Sequence, residues 1–289
     1  MPKILVTGAN GQLGSEIRKL DSLYPHYEFT FSDRENLDLG NLCKMEEYFE
    51  NRVFDAIINC AAYTAVDKAE SERELADTIN HRFVSMLSKI AKRRNTTLIH
   101  ISTDYVFNGQ NHCPYVESDP TDPQGVYGRT KQDGESAILS VAPMNTIIIR
   151  TSWVYSSFGN NFVKTMLRLS KERDSLGVIY DQIGTPTYAR DLAKTILDIL
   201  PNIQNNSPEI YHYSNEGVAS WYDFAQAIFE FSDVKCRVNP ITTDQYPTPA
   251  ARPHYSLLNK SKIKNDFAIT IPYWRDSLRA CLKELGAIS

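Results

Sequence analysis

A chain of 289 residues with 42% hydrophobic and 23% charged residues has the makeup of an ordinary globular protein, long enough for one large or two ordinary domains. Its formal net charge of −4 excludes a general attraction to nucleic acid or anionic membrane, so an anionic ligand must be met by individually placed Arg or Lys. Cys43, Cys60, Cys113, Cys236 and Cys281 are scattered and lack metal-ligand spacing, and no run approaches the ~18 apolar residues of a membrane span. These features predict reduced thiols, a soluble cytoplasmic protein and no structural metal.

Short apolar runs rich in β-branched residues predict strands over residues 4–6, 28–31, 56–59, 98–101 and 147–149. Helical stretches lie between them, one over 41–51 and the longest over about 70–94. In the latter, Leu75, Ile79, Phe83, Leu87 and Ile90 recur at helical spacing and make one apolar stripe. This alternation argues for a doubly wound α/β parallel sheet covered on both faces. After Trp153 the spacing predicts a helix over 162–171, a Gly/Pro-containing turn over 182–187 and a helix over 191–200. A strand at 210–213, a helix over about 220–231 and a last helix over 274–285 follow. Residues 239–253 hold Pro240, Pro247, Pro249 and Pro253, so they are expected to be largely irregular and to form a substrate loop. The domain expectation is a dinucleotide-binding unit over 1–155, with about 177–217 returning to it. Residues 156–289 then form mainly a smaller C-terminal α/β substrate-binding unit at the carboxyl edge of the sheet.

The first strand runs into Gly8-Ala9-Asn10-Gly11-Gln12-Leu13-Gly14. A turn without Cβ atoms lets backbone N–H groups approach a pyrophosphate, and the helix that follows aims its positive end at it. Gly8, Asn10, Gly11, Gln12, Leu13 and Gly14 are therefore candidate cofactor-binding residues. About twenty residues on, Asp33 suits an adenosine ribose and Arg34 suits a 2′-phosphate, which leaves NADH and NADPH both open. Asp38 and Leu39 either flank the adenine or, for Asp38, cap the next helix. Ala61, Ala62 and Tyr63, after the third strand, are placed to line the middle of the cofactor.

Tyr127 and Lys131 are four residues apart, hence on one helical face. A free phenol titrates near pH ~10 and serves acid–base chemistry at neutral pH only if its anion is stabilised, which a neighbouring ammonium does. The strand ending Ile101-Ser102-Thr103-Asp104-Tyr105 precedes the pair. From its end Thr103 can hydrogen-bond the same substrate oxygen, and Asp104 can tune the group electrostatically.

Taken together, several segments resemble those of the extended short-chain dehydrogenase/reductases. They are residues 8–14, 102–107, 127–131, 150–155, 161–164, 182–187 and the late Arg252-Pro253. The resemblance implies a Rossmann fold and reduction of a keto group on a dTDP-sugar, with Tyr127 as proton donor, Lys131 as its support and Thr103 completing the set. Thr103, Asp104, Trp153 and Asn161 would meet the sugar, Arg252 its diphosphate, and Asn80 would steady Lys131 through the backbone and a water. Some members bridge a dimer through magnesium held by carboxylates. Glu16 matches one, but Arg190 stands where a second belongs, so the expectation is no metal and a monomer or weak homodimer. A reductase or epimerase of another nucleotide keto-sugar, or a non-catalytic regulatory subunit of methionine adenosyltransferase type, shares the fold. The presence of Thr103, Tyr127 and Lys131 favours the enzyme.

Overall fold

The computed structural model describes residues 1–33, 35–50 and 52–288. Each strand expected in the first half forms at or slightly beyond the ends of its apolar run. The order is β1 (Lys3–Thr7), α1 (Gln12–Leu20), β2 (Glu28–Ser32), α2 (Leu42–Glu50) and β3 (Ala56–Asn59). After them come α3 (Val66–Ala69), α4 (Arg73–Asp77), α5 (Phe83–Arg94), β4 (Thr97–Thr103), α6 (Val126–Val141) and β5 (Thr146–Thr151). Asn51, expected in the second helix, lies outside the described residues.

The single helix expected over 70–94 is instead α4, a π turn at Thr78–Arg82, and α5. A π turn adds a residue and rotates the face of everything before it by roughly 100°. Leu75 therefore leaves the stripe and is 42% exposed, while Ala76 takes the inward position beside Ile79.

The second half contributes β6 (Val154–Tyr155), α7 (Phe162–Leu169), β7 (Ser175–Ile179), β8 (Ile183–Gly184), β9 (Thr187–Tyr188) and α8 (Ala189–Ile199). It continues with β10 (Glu209–Tyr213), β11 (Ala219–Ser220), α9 (Trp221–Phe231), β12 (Arg237–Ile241), α10 (Ser261–Phe267) and α11 (Trp274–Glu284). The stretch expected as a simple turn over 182–187 thus holds β8 and reaches β9, which pair with β11 and β6 respectively. Residues 239–253 are largely irregular, as expected, apart from the end of β12 and a short 3₁₀ turn at Thr243–Gln245. Pro240 sits in β12, in register with Val178 of β7. A two-strand ribbon consists of edges only, so a missing N–H can face outward without breaking the ladder.

The large sheet is parallel throughout, in the order β10-β5-β4-β3-β1-β2. Strand order reverses between β1 and β3, which is the crevice where open α/β sheets bind ligands. One face packs under α1 and α8 through Leu13, Ile17, Leu192 and Ile196; the other carries α2 and α5 through Met45, Phe49, Phe83 and Leu87. A second apolar core, with Tyr155, Val163, Phe224, Ile228 and Leu278, builds the remainder. Among the described residues no helix is long and apolar enough to cross a membrane.

Candidate active site

The crevice opens on a cleft of about 780 Å³ over the carboxyl ends of the strands. Gly8, Asn10, Gly11, Gln12 and Leu13 line it on one side, Asp33, Leu39, Ala61 and Ala62 border it, and Thr103, Asp104, Tyr127, Lys131 and Trp153 complete the far side. Gly8 has φ +65°, and a Cβ there would lie 2.7 Å from the Ala61 backbone. At Gly14, outside the lining, a Cβ would lie 2.5 Å from the Gly8 carbonyl oxygen, so this glycine packs α1 onto the turn. Helix α1 follows Gly11, which offers it no side-chain cap and so leaves its first N–H groups for an anion. That cradle fits the pyrophosphate of a dinucleotide.

Asp33 accepts from the Asn36 N–H (3.2 Å), the Glu35 N–H (3.0 Å) and Asn10 Nδ2 (2.9 Å). These bonds hold its carboxyl below the usual range, so it stays an acceptor at the cleft edge. Arg34 lies outside the described residues. Asp38 accepts from the Gly40 N–H, and it is Asn41, not Asp38, that accepts from Lys44 N at the start of α2. Tyr63 turns away from the cleft. Its hydroxyl donates to Glu72 (2.7 Å), and its backbone is clamped at both ends by the Asn80 amide.

Helix α6 carries Tyr127 and Lys131, and its placement depends on two glycines. A Cβ on Gly128 would overlap the Tyr105 carbonyl oxygen, and one on Gly134 would overlap that of Asn80. Its N-terminus has no cap of its own; Glu70 supplies one by accepting from Val126 N (2.8 Å). The Tyr127 ring meets Tyr105 edge-on at 5.4 Å. Burial pushes the Tyr127 phenol up to about 12, opposed by the Thr103 hydroxyl and reinforced by Asp104. Lys131 is fully buried and donates to the Ile101 carbonyl (2.6 Å). Burial brings it down to about 8, against the pull of Glu135. Asn80 is buried and bonds Tyr63 and Thr130, with no direct contact to the lysine.

Thr103 ends β4, donating to Asp104 (3.0 Å) and accepting from the Tyr105 N–H. Burial raises the Asp104 carboxyl to about 6. Below pH ~4 this group is protonated folded or unfolded; between ~4 and 6 the unfolded chain releases its proton first, and stability falls as pH rises. Asp104→Asn is therefore expected to raise thermal stability at pH 7.5 by about 3 kcal/mol, with the gain vanishing near pH 4. A melting series across that range checks it, and a gain that persists at pH 4 refutes it.

Trp153 sits at φ +47°, a conformation costing a non-glycine residue roughly 1–3 kcal/mol unless its surroundings impose it. Here it stacks on Trp221 at 3.8 Å and 12°, with Gly184 close beneath. Asn161 caps α7 through Lys164 N and bonds the Gln12 amide (2.9 Å), next to the cleft but outside its lining. Arg252 makes two bonds to Asp67 of α3 (2.6 and 2.7 Å), tying the proline-rich loop across to the Rossmann side. Glu16 is buried with Ser156 (2.5 Å), and Arg190 pairs with Glu284.

Sequence reasoning missed Cys60, Thr64, Val66, Ser102, Thr151 and Val154 in the lining, and His100, Glu135, Arg150 and Trp221 behind it. A signal existed for one of them: His100 is a polar residue inside an apolar strand, where such groups are rarely buried without a partner.

A parallel doubly wound sheet, with a pyrophosphate cradle at its switch point and a lysine-backed phenol beside it, defines the extended short-chain dehydrogenase/reductase class. Within that class the chain belongs to the family described as RmlD substrate binding domain, whose model matches residues 2–287. It is 43% identical to the dTDP-4-dehydrorhamnose reductase of Aggregatibacter actinomycetemcomitans, over 96% of this chain and 98% of the relative. The enzyme of the same name from Escherichia coli K12 is 41% identical, covering 98% and 97%. Among solved structures, the dTDP-4-dehydrorhamnose reductase of Clostridium acetobutylicum superposes with TM-score 0.93 at 39% identity, covering 98% and 99%. That of Bacillus anthracis, in complex with NADP, gives 0.92 at 37%, with the same coverage.

Proposed function

We propose that the chain is an NADPH- or NADH-dependent dTDP-4-dehydrorhamnose reductase, reducing the 4-keto group of dTDP-4-dehydro-β-L-rhamnose to dTDP-β-L-rhamnose. The observation that carries this reading is the meeting of Thr103, Tyr127 and Lys131 with the glycine cradle in one cleft, in a chain about 40% identical to reductases of that name.

When bound, the reduced nicotinamide supplies the hydride. Tyr127 gives its proton to the carbonyl oxygen, so that ketone becomes hydroxyl, and Thr103 orients that oxygen from the end of β4. The phenol stays protonated through neutral pH and is an available donor, while the ammonium of Lys131 stabilises the phenolate left behind. Asp104 and Trp153 form the sugar wall, with Asn161 behind it. Arg252 exchanges Asp67 for the substrate diphosphate, a fork of N–H donors suited to either partner. In this reading residues 1–155, with 177–217, hold the dinucleotide, and the rest of 156–289 holds the dTDP-sugar. The chain works in the cytoplasm as a monomer or weak homodimer.

The test is oxidation of NADPH, and separately NADH, by the purified chain with dTDP-4-dehydro-L-rhamnose, coupled to identification of dTDP-rhamnose. Dinucleotide binding without oxidation would overturn the reading. Gly8→Ala is expected to weaken dinucleotide affinity by roughly tenfold, because the new Cβ both strains the turn and meets Ala61. A fluorescence titration of the reduced dinucleotide measures this; unchanged affinity would remove the turn from the cofactor site.

A further inference from the structure

One buried titratable group stands behind the site without a part in this chemistry. Thr7, Asn59 and His100 are in register on three adjacent strands, β1, β3 and β4, and all three are buried. Thr7 Oγ1 lies 2.6 Å from Asn59 Oδ1, Asn59 Nδ2 lies 2.9 Å from His100 Nδ1, and His100 Nε2 lies 3.3 Å from Lys131 Nζ. This polar rung runs from the glycine turn to the lysine.

We propose that His100 is a positioning residue for Lys131, its Nε2 accepting from the ammonium when the Asn59 amide turns its oxygen toward Nδ1. The inference rests on the reading of Lys131 given above. Burial and the adjacent lysine hold His100 far below the usual histidine range, so the imidazole is neutral and carries one N–H. An ammonium has only donors, so the ring nitrogen facing it must be bare. The N–H is then on Nδ1, and this requires the Asn59 amide to turn from the orientation observed, so that its oxygen accepts from Nδ1 and its NH₂ donates to Thr7. In the orientation observed, Oδ1 toward Thr7, Nδ1 accepts and Nε2–H faces the lysine, which only a neutral amine tolerates. The two amide orientations therefore correspond to the two charge states of Lys131.

The Ile101 carbonyl takes one ammonium proton at 2.6 Å, and the side chains around Lys131 do not replace His100 as the second acceptor. On its own helix are Tyr127 and Glu135, the latter taken by Arg150 of β5; Asp104 and Tyr105 follow β4 and flank Tyr127. On the α3, α4 and π-turn stretch, Asp67 pairs with Arg252, Glu70 with Val126 N and Arg73, and Glu72 with Tyr63. There too Glu74 pairs with Arg82, Asp77 with His81 and Arg82, and Lys68 is exposed.

The experiment follows the Lys131 side chain by NMR in the full chain carrying labelled lysine, assigned with Lys131→Ala, beside kcat against pH. In His100→Leu the midpoint for losing the ammonium should fall by about one pH unit. The charged fraction at pH 8 then drops from about one half to about one tenth, and kcat there falls about fivefold. KM for dinucleotide and sugar should change by less than about twofold, and His100→Gln, which keeps an acceptor, should restore most of the midpoint. If His100→Leu does not fold, Asn59→Val carries the test, because it removes the partner of Nδ1 and should move the midpoint the same way. An unmoved midpoint in the folded variant overturns the proposal. Absence of keto-sugar turnover in the unaltered chain would overturn the functional reading while leaving the lysine titration intact.

Discussion

Tyr127→Phe is expected to lower kcat by roughly 10²- to 10⁴-fold while leaving dinucleotide affinity within about twofold. Phenylalanine keeps the ring that meets Tyr105 edge-on and keeps the close fit of α6 at Gly128, so only the proton is removed. The loss should therefore fall on turnover and not on binding. Steady-state kinetics of the keto-sugar reduction, with a separate dinucleotide titration, separates the two. Turnover within about fivefold of the unaltered chain would move the acid elsewhere. Tyr105 is the nearest alternative, but burial and Asp104 push its phenol even higher, which makes it a poorer source of the proton. The same arrangement sets the pH dependence. Activity should decline on the alkaline side as Lys131 loses its charge through about 8, well below the range in which Tyr127 itself ionises.

Arg150→Met should destabilise the fold by about 3–5 kcal/mol, because it strands the carboxylate of Glu135 in the interior. Both side chains are buried, and the guanidinium grips the carboxylate through Nε (3.0 and 3.2 Å) and NH2 (2.7 Å) while lying over the Phe107 ring. Ser102 adds a hydrogen bond to the same carboxylate. The pair joins β5 to α6 one helical turn beyond Lys131, so it stiffens the element that carries the phenol and the lysine. Breaking one side of a buried pair costs far more than replacing both sides with apolar groups. The double variant Arg150→Met with Glu135→Leu should accordingly recover most of the loss in urea denaturation. A single variant that loses less than about 1 kcal/mol, or a double variant no better than the single, would show that water reaches the pair.

Much of this molecule can be read without coordinates, for a reason that is local. An apolar run followed by Gly8, Gly11 and Gly14 makes a strand, a turn and a helix start from backbone sterics alone, and Tyr127 and Lys131 share a face because a helix repeats every 3.6 residues. The alternation of such units leads to a doubly wound sheet by the packing rules of parallel strands. Leu75 marks where local periodicity fails, since one extra residue in the π turn rotates everything before it.

The amino-acid order by itself determined the sheet, the cradle for a pyrophosphate, and the spacing of phenol and lysine, all of which depend on neighbours a few residues apart. Only the tertiary structure decided the rest. Strand register aligned Thr7, Asn59 and His100 into one polar rung, and backbone contact at Gly128 and Gly134 seated α6 with Tyr127 and Lys131. The Trp221 stack held Trp153 in a left-handed conformation, and Asp67 took Arg252 across 185 positions of chain. These pairings join residues far apart in the chain, and their partners are chosen by how whole elements pack, a choice no local pattern records.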